Sequence, residues 1–314
     1  DVTAAEIWRR TRELAEHLSL RQPAKRYLGV PGIATVLFHP EPLVPETHLP
    51  IIKAVGFDLL ELSFYFDTPI YDWERGTAIS DLMDVCRGEG LDVWSVHPPD
   101  RGMLGSADRS ERLLQQDVLV RTAELACEVG ASAVVFHALL DRGPIAHDHR
   151  YDAKRRLLES LDAVARRVES LPVSLCLETV PAPRSADARA LNNEEIVTAC
   201  NLYPPDGPFS IAIDTGHSNI AGDLVNQPSR IGRHLRSLHI NDNDAVSDQH
   251  LVPGEGCIAW DAFWGNLIAA HYAGPLMVEV LARDRDPADV AHGSLEALEA
   301  PLQQLGSGPV PGID

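Results

Sequence analysis

Six apolar runs in this chain each close on a histidine or a carboxylate. Trp94-Ser95-Val96 leads into His97, Val134-Val135-Phe136 into His137, and Leu175-Cys176-Leu177 into Glu178. Ile211-Ala212-Ile213 leads into Asp214, Ser237-Leu238 into His239, and Met277-Val278 into Glu279. Imidazole and carboxylate together suit Mn2+, Zn2+, Co2+ or Fe2+, and carboxylate-rich sites also accept Mg2+. Several unpaired carboxylates in one apolar setting would repel one another at severe cost, which a divalent cation removes. Taken singly, a histidine at a strand end is an ordinary structural residue, and a glutamate there is an ordinary salt-bridge partner. Six in succession point to metal chemistry, because buried charges need partners.

Further polar groups follow the later runs. Asp214 continues into Thr215-Gly216-His217, and His239 into Ile240-Asn241-Asp242-Asn243-Asp244. Then come Asp248-Gln249-His250 and Pro253-Gly254-Glu255-Gly256. Two apart in an extended segment, Asp248 and His250 point the same way and form a candidate grip on a second ion. The glycines let a loop approach closely. Arg101 and Arg184, in the segments after the third and fifth runs, are candidate contacts for an anionic group on a substrate.

For these side chains to meet, the runs must be parallel strands whose C-terminal ends share one face. The chain alternates short β-branched apolar runs with amphipathic stretches, the pattern of a parallel sheet covered by helices. Eight strands are predicted, at 27–36, 58–64, 91–97, 131–137, 173–178, 209–214, 235–240 and 276–280. Helices are predicted between and after them, at about 47–55, 76–89, 108–129, 152–170, 192–201, 227–234, 261–272 and 293–304, with another at 3–19. Gly56, Gly90 and Gly130 stand where a helix should stop and turn back into the sheet. The expected architecture is a single-domain α/β chain, a (β/α)8 TIM barrel over 27–305, with an N-terminal helical extension over 1–26 and a flexible tail over 306–314. No G-x-G-x-x-G follows the first strand, which argues against a doubly wound dinucleotide fold.

The bulk numbers agree. At 314 residues the chain exceeds a typical domain but suits one barrel. Lys plus Arg is 27 and Asp plus Glu 46, a formal charge of −19 that disfavours nucleic acid and anionic membrane. The five cysteines are widely spaced without a C-x-x-C, as in reduced thiols. No apolar run approaches the ~20 residues of a membrane span, and the N-terminus has no signal-peptide pattern. A cytoplasmic location is the expectation. The aromatic and apolar loop after the second strand is a candidate contact for a homo-oligomer.

At the residues quoted, the chain resembles the xylose isomerase-like TIM-barrel superfamily, which includes sugar isomerases and epimerases, dehydratases and apurinic endonucleases. The pieces that carry the resemblance are Leu177-Glu178-Thr179, Ile213-Asp214-Thr215-Gly216-His217, His239-Ile240-Asn241-Asp242-Asn243, His250 with Gly254, Gly256, Ile258 and Trp260, and Val278-Glu279. The resemblance implies one catalytic divalent metal (Mn, Mg, Co or Zn) on Glu178, Asp214, His239 and Glu279, and a His217 that contacts substrate or a neighbouring metal. It implies isomerisation or epimerisation of a small polyhydroxy-carbonyl compound (a sugar, keto-sugar or cyclitol) through a metal-stabilised enediolate, with Glu178 and Glu279 moving the proton. Ketose 3-epimerases carry an arginine six residues after the strand-seven histidine; Ala245 stands there in this chain.

Two alternatives come with the same superfamily. One is a lyase or dehydratase of the dehydroshikimate, inosose or C-glycoside type. The other is a zinc-dependent apurinic endonuclease, whose three zinc ions would take His97, His137, Glu178, Asp214, His217, His239, Asp248, His250 and Glu279. A non-catalytic sugar-binding barrel is the fourth reading.

Overall fold

The computed structural model describes residues 29–64, 76–142, 147–181, 190–204 and 207–306. Eight parallel strands run β1 (Pro31–Ala34), β2 (Leu59–Ser63), β3 (Asp92–His97), β4 (Ala133–His137), β5 (Ser174–Glu178), β6 (Phe209–Asp214), β7 (Leu235–His239) and β8 (Leu276–Val278). Each strand from β1 to β6 pairs with the next, and β1 also pairs with β8. The ring is joined between β7 and β8 by a parallel bridge from Ile240 to Val278. This is a TIM barrel, as the alternation of runs predicts.

Helices pack outside: α1 (Pro45–Val55), α2 (Gly76–Glu89), α3 (Arg109–Glu128), α4 (His147–Val168), α5 (Asn193–Cys200), α6 (Thr215–Ala221), α7 (Gln227–Ile231), α8 (Trp260–Ala269) and α9 (Pro287–Gly306). Their inner faces follow helical spacing, as in α4, where Leu157, Leu161, Val164 and Val168 are all buried. Each such side chain contributes roughly 1.5–3 kcal/mol of burial. Capping fixes where the helices start. Asp108 accepts from Ser110 N before α3, and Asn192 and Glu195 form a capping box at α5.

Two apolar cores result from the two faces of the strands. Leu60, Leu62, Val134, Phe136, Leu175, Leu177, Ile211 and Ile213 face the helices. Leu59, Trp94, Ala133, Val135, Cys176, Ala212 and Met277 form a separate cluster inside the ring. Successive side chains on a strand alternate faces, so the residue two beyond an inward one is also inward. Val135 is followed in this way by His137, Cys176 by Glu178, Ala212 by Asp214, and Met277 by Glu279. The interior thus changes from apolar to polar at the C-terminal end of the barrel.

Several details differ from the sequence expectation; the helix expected at 293–304 runs from Pro287 to Gly306, and the one expected from 152 starts at His147. The first strand is shorter than 27–36, because the chain winds into a 3-10 turn over Thr35–Phe38 and the Thr35 hydroxyl accepts from Ser63 N at 2.9 Å. The helix expected at 227–234 is α7 followed by a 3-10 turn, Gly232–His234, with Gly232 at φ 55. Helix α6 was not expected. It starts directly from Asp214, whose carboxylate accepts from His217 N. The expected helix at 3–19, the loop after β2 and the tail from 307 lie outside the described residues. Among the described residues, no helix is long and apolar enough to cross a membrane.

Candidate metal centre

Seven strands deliver a polar side chain to the C-terminal mouth. Glu61, His97, Glu178, Asp214, His239 and Glu279 are fully buried, and His137 is 17% exposed. Three groups of donors form there. Glu178, Asp214, His239 and Glu279 place ligand atoms within 4.8 Å of one another, as do His97, His137 and Glu178, and as do His217, Asp248 and His250. Glu178 belongs to two of these groups. The nine residues singled out from the sequence are thus all brought together.

The orientation of each imidazole is set from outside. His97 Nδ1 lies 3.0 Å from the Pro98 carbonyl, His137 Nδ1 2.7 Å from Asp100, and His217 Nδ1 2.8 Å from the Thr179 carbonyl. His250 Nδ1 lies 2.9 Å from the Glu279 carbonyl, and His239 Nε2 3.0 Å from Glu61. In every case an N–H donates outward and the second ring nitrogen faces the cluster. His97 Nε2 and His137 Nε2 lie 3.2 and 3.4 Å from Glu178 Oε2. His217 Nε2 and His250 Nε2 lie 3.2 and 3.3 Å from Asp248. His239 Nδ1 lies 3.3 Å from Glu178 Oε1 and 3.0 Å from Glu279 Oε2.

A neutral imidazole with its proton directed outward presents a lone pair inward, toward carboxylate lone pairs. Two acceptors facing each other require a proton or a cation between them. His239 Nδ1, Glu178 Oε1 and Glu279 Oε2 are buried without a hydrogen bond. These atoms are acceptors awaiting an electrophile, and the mixed N and O set suits a divalent transition metal.

Electrostatics show the alternative of charging the imidazoles. Burial opposes the imidazolium of His250, but Asp248 and Glu279 outweigh it and raise its pKa to about 9. Against the same burial, Asp100 and Glu178 raise His137, Asp214 and Asp248 raise His217, and Glu279 and Glu61 raise His239, each well above the usual range. Glu178 is held well below the ordinary carboxylate range against burial, by His239 and His137. Glu279 is held at about 2 against burial, chiefly by His239. Burial pushes Asp214 up to about 6, with His217 pulling the other way.

The turn after β6 is built to hold Asp214. One Asp214 oxygen caps α6 at His217 N, 2.6 Å away, and the other accepts from Asn241 Nδ2 at 2.7 Å. Thr179 Oγ1 accepts from Asp214 N and from Ser218 Oγ. The close approach of Asn241 requires Gly216, since a Cβ there would overlap Asn241 Oδ1. Buried Asp242 holds the loop after β7 by accepting from Gly254 N, Ile258 N and Trp260 Nε1. His250 sits in this loop at φ 49, a left-handed conformation costly for a residue with a side chain.

Arg101 is half-buried next to Asp100, and its carbonyl accepts from Arg142. Arg184 lies outside the described residues. Glu61 was not anticipated from the sequence. It stands inside an apolar run, Leu59-Leu60-Glu61-Leu62, and not at its end, and its signal was a lone charge two residues after an inward leucine. Asp100, which orients His137, was also missed.

Comparison with known proteins gives this arrangement a setting. A model of the xylose isomerase-like TIM barrel family matches residues 49–300. A fructoselysine 3-epimerase of Escherichia coli O157:H7 is 28% identical over 150 residues, which are 48% of this chain and 54% of that protein. The chain therefore matches about half the length of that relative. A probable endonuclease 4 of Mycobacterium leprae is 29% identical over 197 residues, covering 59% of this chain and 72% of that protein. A D-tagatose 3-epimerase-like protein of known structure superposes with a TM-score of 0.71 at 20% identity, over 88% of this chain and 98% of that one. At that identity the likeness is one of fold.

Proposed function

The chain belongs to the xylose isomerase-like TIM barrel family, and on that premise we propose that it is a divalent-metal-dependent isomerase or epimerase of a small sugar, keto-sugar or cyclitol. The observation that carries this reading is the fully buried set Glu178, Asp214, His239 and Glu279, whose inward acceptors face one another. Fructoselysine 3-epimerase among the relatives supports a carbohydrate substrate.

A divalent ion held by these four residues supplies Lewis-acid polarisation of a carbonyl oxygen. The chain's own groups do the rest. Glu178 and Glu279, from the non-adjacent strands β5 and β8, stay ionised and can therefore accept a proton. One, as the carboxylate, removes the proton beside the carbonyl, and the other, once it has taken a proton from solvent, returns one to carbon. Return to the neighbouring carbon isomerises, and return to the opposite face epimerises. His217, oriented by Thr179 O at Nδ1, offers Nε2 to a substrate oxygen in exchange for Asp248.

A second reading, a zinc-dependent apurinic endonuclease, is favoured by one specific observation. The His97–His137–Glu178 and His217–Asp248–His250 groups flank the first, giving three donor sets. The endonuclease 4 relative agrees with it. Against it stands the charge of −19, and among the described residues Arg142 and Arg285, in the loops after β4 and β8, are paired with Glu111 and Glu255. A duplex-binding surface needs free cations for phosphates.

Elemental analysis of protein purified without chelator, with a carbonyl-sugar screen and an abasic-duplex cleavage assay, tests both readings. One ion per chain and sugar turnover that Glu178→Gln abolishes are expected. Three zinc ions with duplex cleavage would replace the first reading by the second. A chain that takes up no metal would end both.

A further inference from the structure

We infer that Glu61 is a positioning residue that fixes the ring of His239, so that Nδ1 and not Nε2 is its metal-binding atom, and that Glu61 thereby sets the affinity of the site. The inference rests on the metal reading of the Glu178, Asp214, His239 and Glu279 set.

The case starts from cost. Glu61 is 0% exposed at the middle of β2, between Leu60 and Leu62. A buried carboxylate without compensation is strongly destabilising. Among the described residues, no lysine or arginine forms an ion pair with Glu61. Among the described residues its side-chain partners are Ser95, whose hydroxyl donates to Oε2 at 2.6 Å, and His239 Nε2, 3.0 Å from both oxygens. A hydrophobic residue in this barrel layer, like Leu59 one inward position earlier, would pack without that cost. The carboxylate is therefore tied to His239 and to what His239 does.

Geometry shows what that is. Both Glu61 oxygens lie at 3.0 Å from one ring nitrogen, so the proton sits on Nε2. That leaves the Nδ1 lone pair aimed between Glu178 Oε1 and Glu279 Oε2. Ser95, paired with Glu61 across β2 and β3, holds the carboxylate in place. A negative partner on the distal N–H also makes the ligating nitrogen a better donor. The other four cluster histidines each give Nδ1 to the partner that orients the ring and Nε2 to their donor group. His239 is reversed, and Glu61 is the group that reverses it.

The test uses the chelator-stripped full chain with Co2+ and Zn2+ alone as probes, titrated against a chelating dye. Glu61→Gln keeps the shape and an acceptor but removes the charge. Its affinity at the His239 site should fall 10–100-fold. A purely structural carboxylate would lower the melting temperature and leave the affinity unchanged. In a His239→Ala background, Glu61→Gln should have no further effect on affinity. If Glu61→Gln does not fold, Ser95→Ala, which loosens the carboxylate without removing it, should still weaken binding severalfold. Equal affinities in wild type and variant, or an undiminished loss in the His239→Ala background, would overturn the inference and leave the metal reading standing. A wild-type chain that binds neither ion would overturn both.

Discussion

Metal uptake by the stripped protein should expel protons and tighten as pH rises. Without an ion, His250 titrates at about 9, and His137, His217 and His239 well above the usual range. A ligating nitrogen must be neutral, so binding displaces these protons. Each unit between pKa and pH costs about 1.4 kcal/mol per displaced proton. For His250 at pH 7 the gap is 9 − 7 = 2 units, about 2.7 kcal/mol, or about 100-fold in affinity for an ion that uses it. One pH unit higher should return about tenfold per proton. The same shift acts on stability. The folded metal-free chain binds more protons than the unfolded one between about 6.5 and 9, so its stability falls as pH rises through that window. Glu279 acts in the opposite sense, since its contribution is present above 4.5 and is lost as pH falls toward about 2. Calorimetric titration with Zn2+ at pH 7, in two buffers of different ionisation enthalpy, counts the protons released. At least one per bound ion is expected. Identical heats in both buffers, with affinity flat from pH 7 to 8, would mean that the imidazoles are neutral without metal and would refute the reasoning.

Two further substitutions test how the site is held. Gly216→Ala drives a Cβ into Asn241 Oδ1 and displaces the amide that holds Asp214; a loss of about 1–3 kcal/mol, read as a melting temperature several degrees lower with weakened metal binding, is expected, and an unchanged melt would contradict it. Asn192→Ala removes the capping box of α5, which should cost about 1 kcal/mol in denaturant unfolding while metal content stays that of wild type.

The site was legible where the sequence repeats a rule. His137, Glu178, Asp214 and Glu279 each extend an inward-facing series by one position, so an apolar run with a polar end marked both the strand and the ligand. Helix α6 escaped because Asp214-Thr215-Gly216-His217 reads as a ligand motif, although the same aspartate is a favoured N-cap. Seven residues are also too few to display a helical period. The helix expected at 227–234 was broken by Gly232 at φ 55, a conformation that glycine tolerates and that ends α7. Glu61 and Asp100 act through histidines distant in sequence, His239 and His137, and strand pattern alone does not show which histidine a carboxylate will meet.

The joint between β7 and β8 is where the ring is most lightly sewn. Just beyond the strands, Ile240 N donates to Met277 O at 2.8 Å and Glu279 N to Ile240 O at 3.0 Å. His239 and Glu279, the two donors 3.0 Å apart, stand on either side of this seam. An ion gripping both would act as a clasp across it. Loss of the ion would then be felt first as breathing of the seam, with the amides of Ile240 and Glu279 exchanging faster with solvent than those of the densely laddered β4–β5 pair. In this barrel, the ligand pair that would prepare the chemistry also spans the place where the cylinder would come undone.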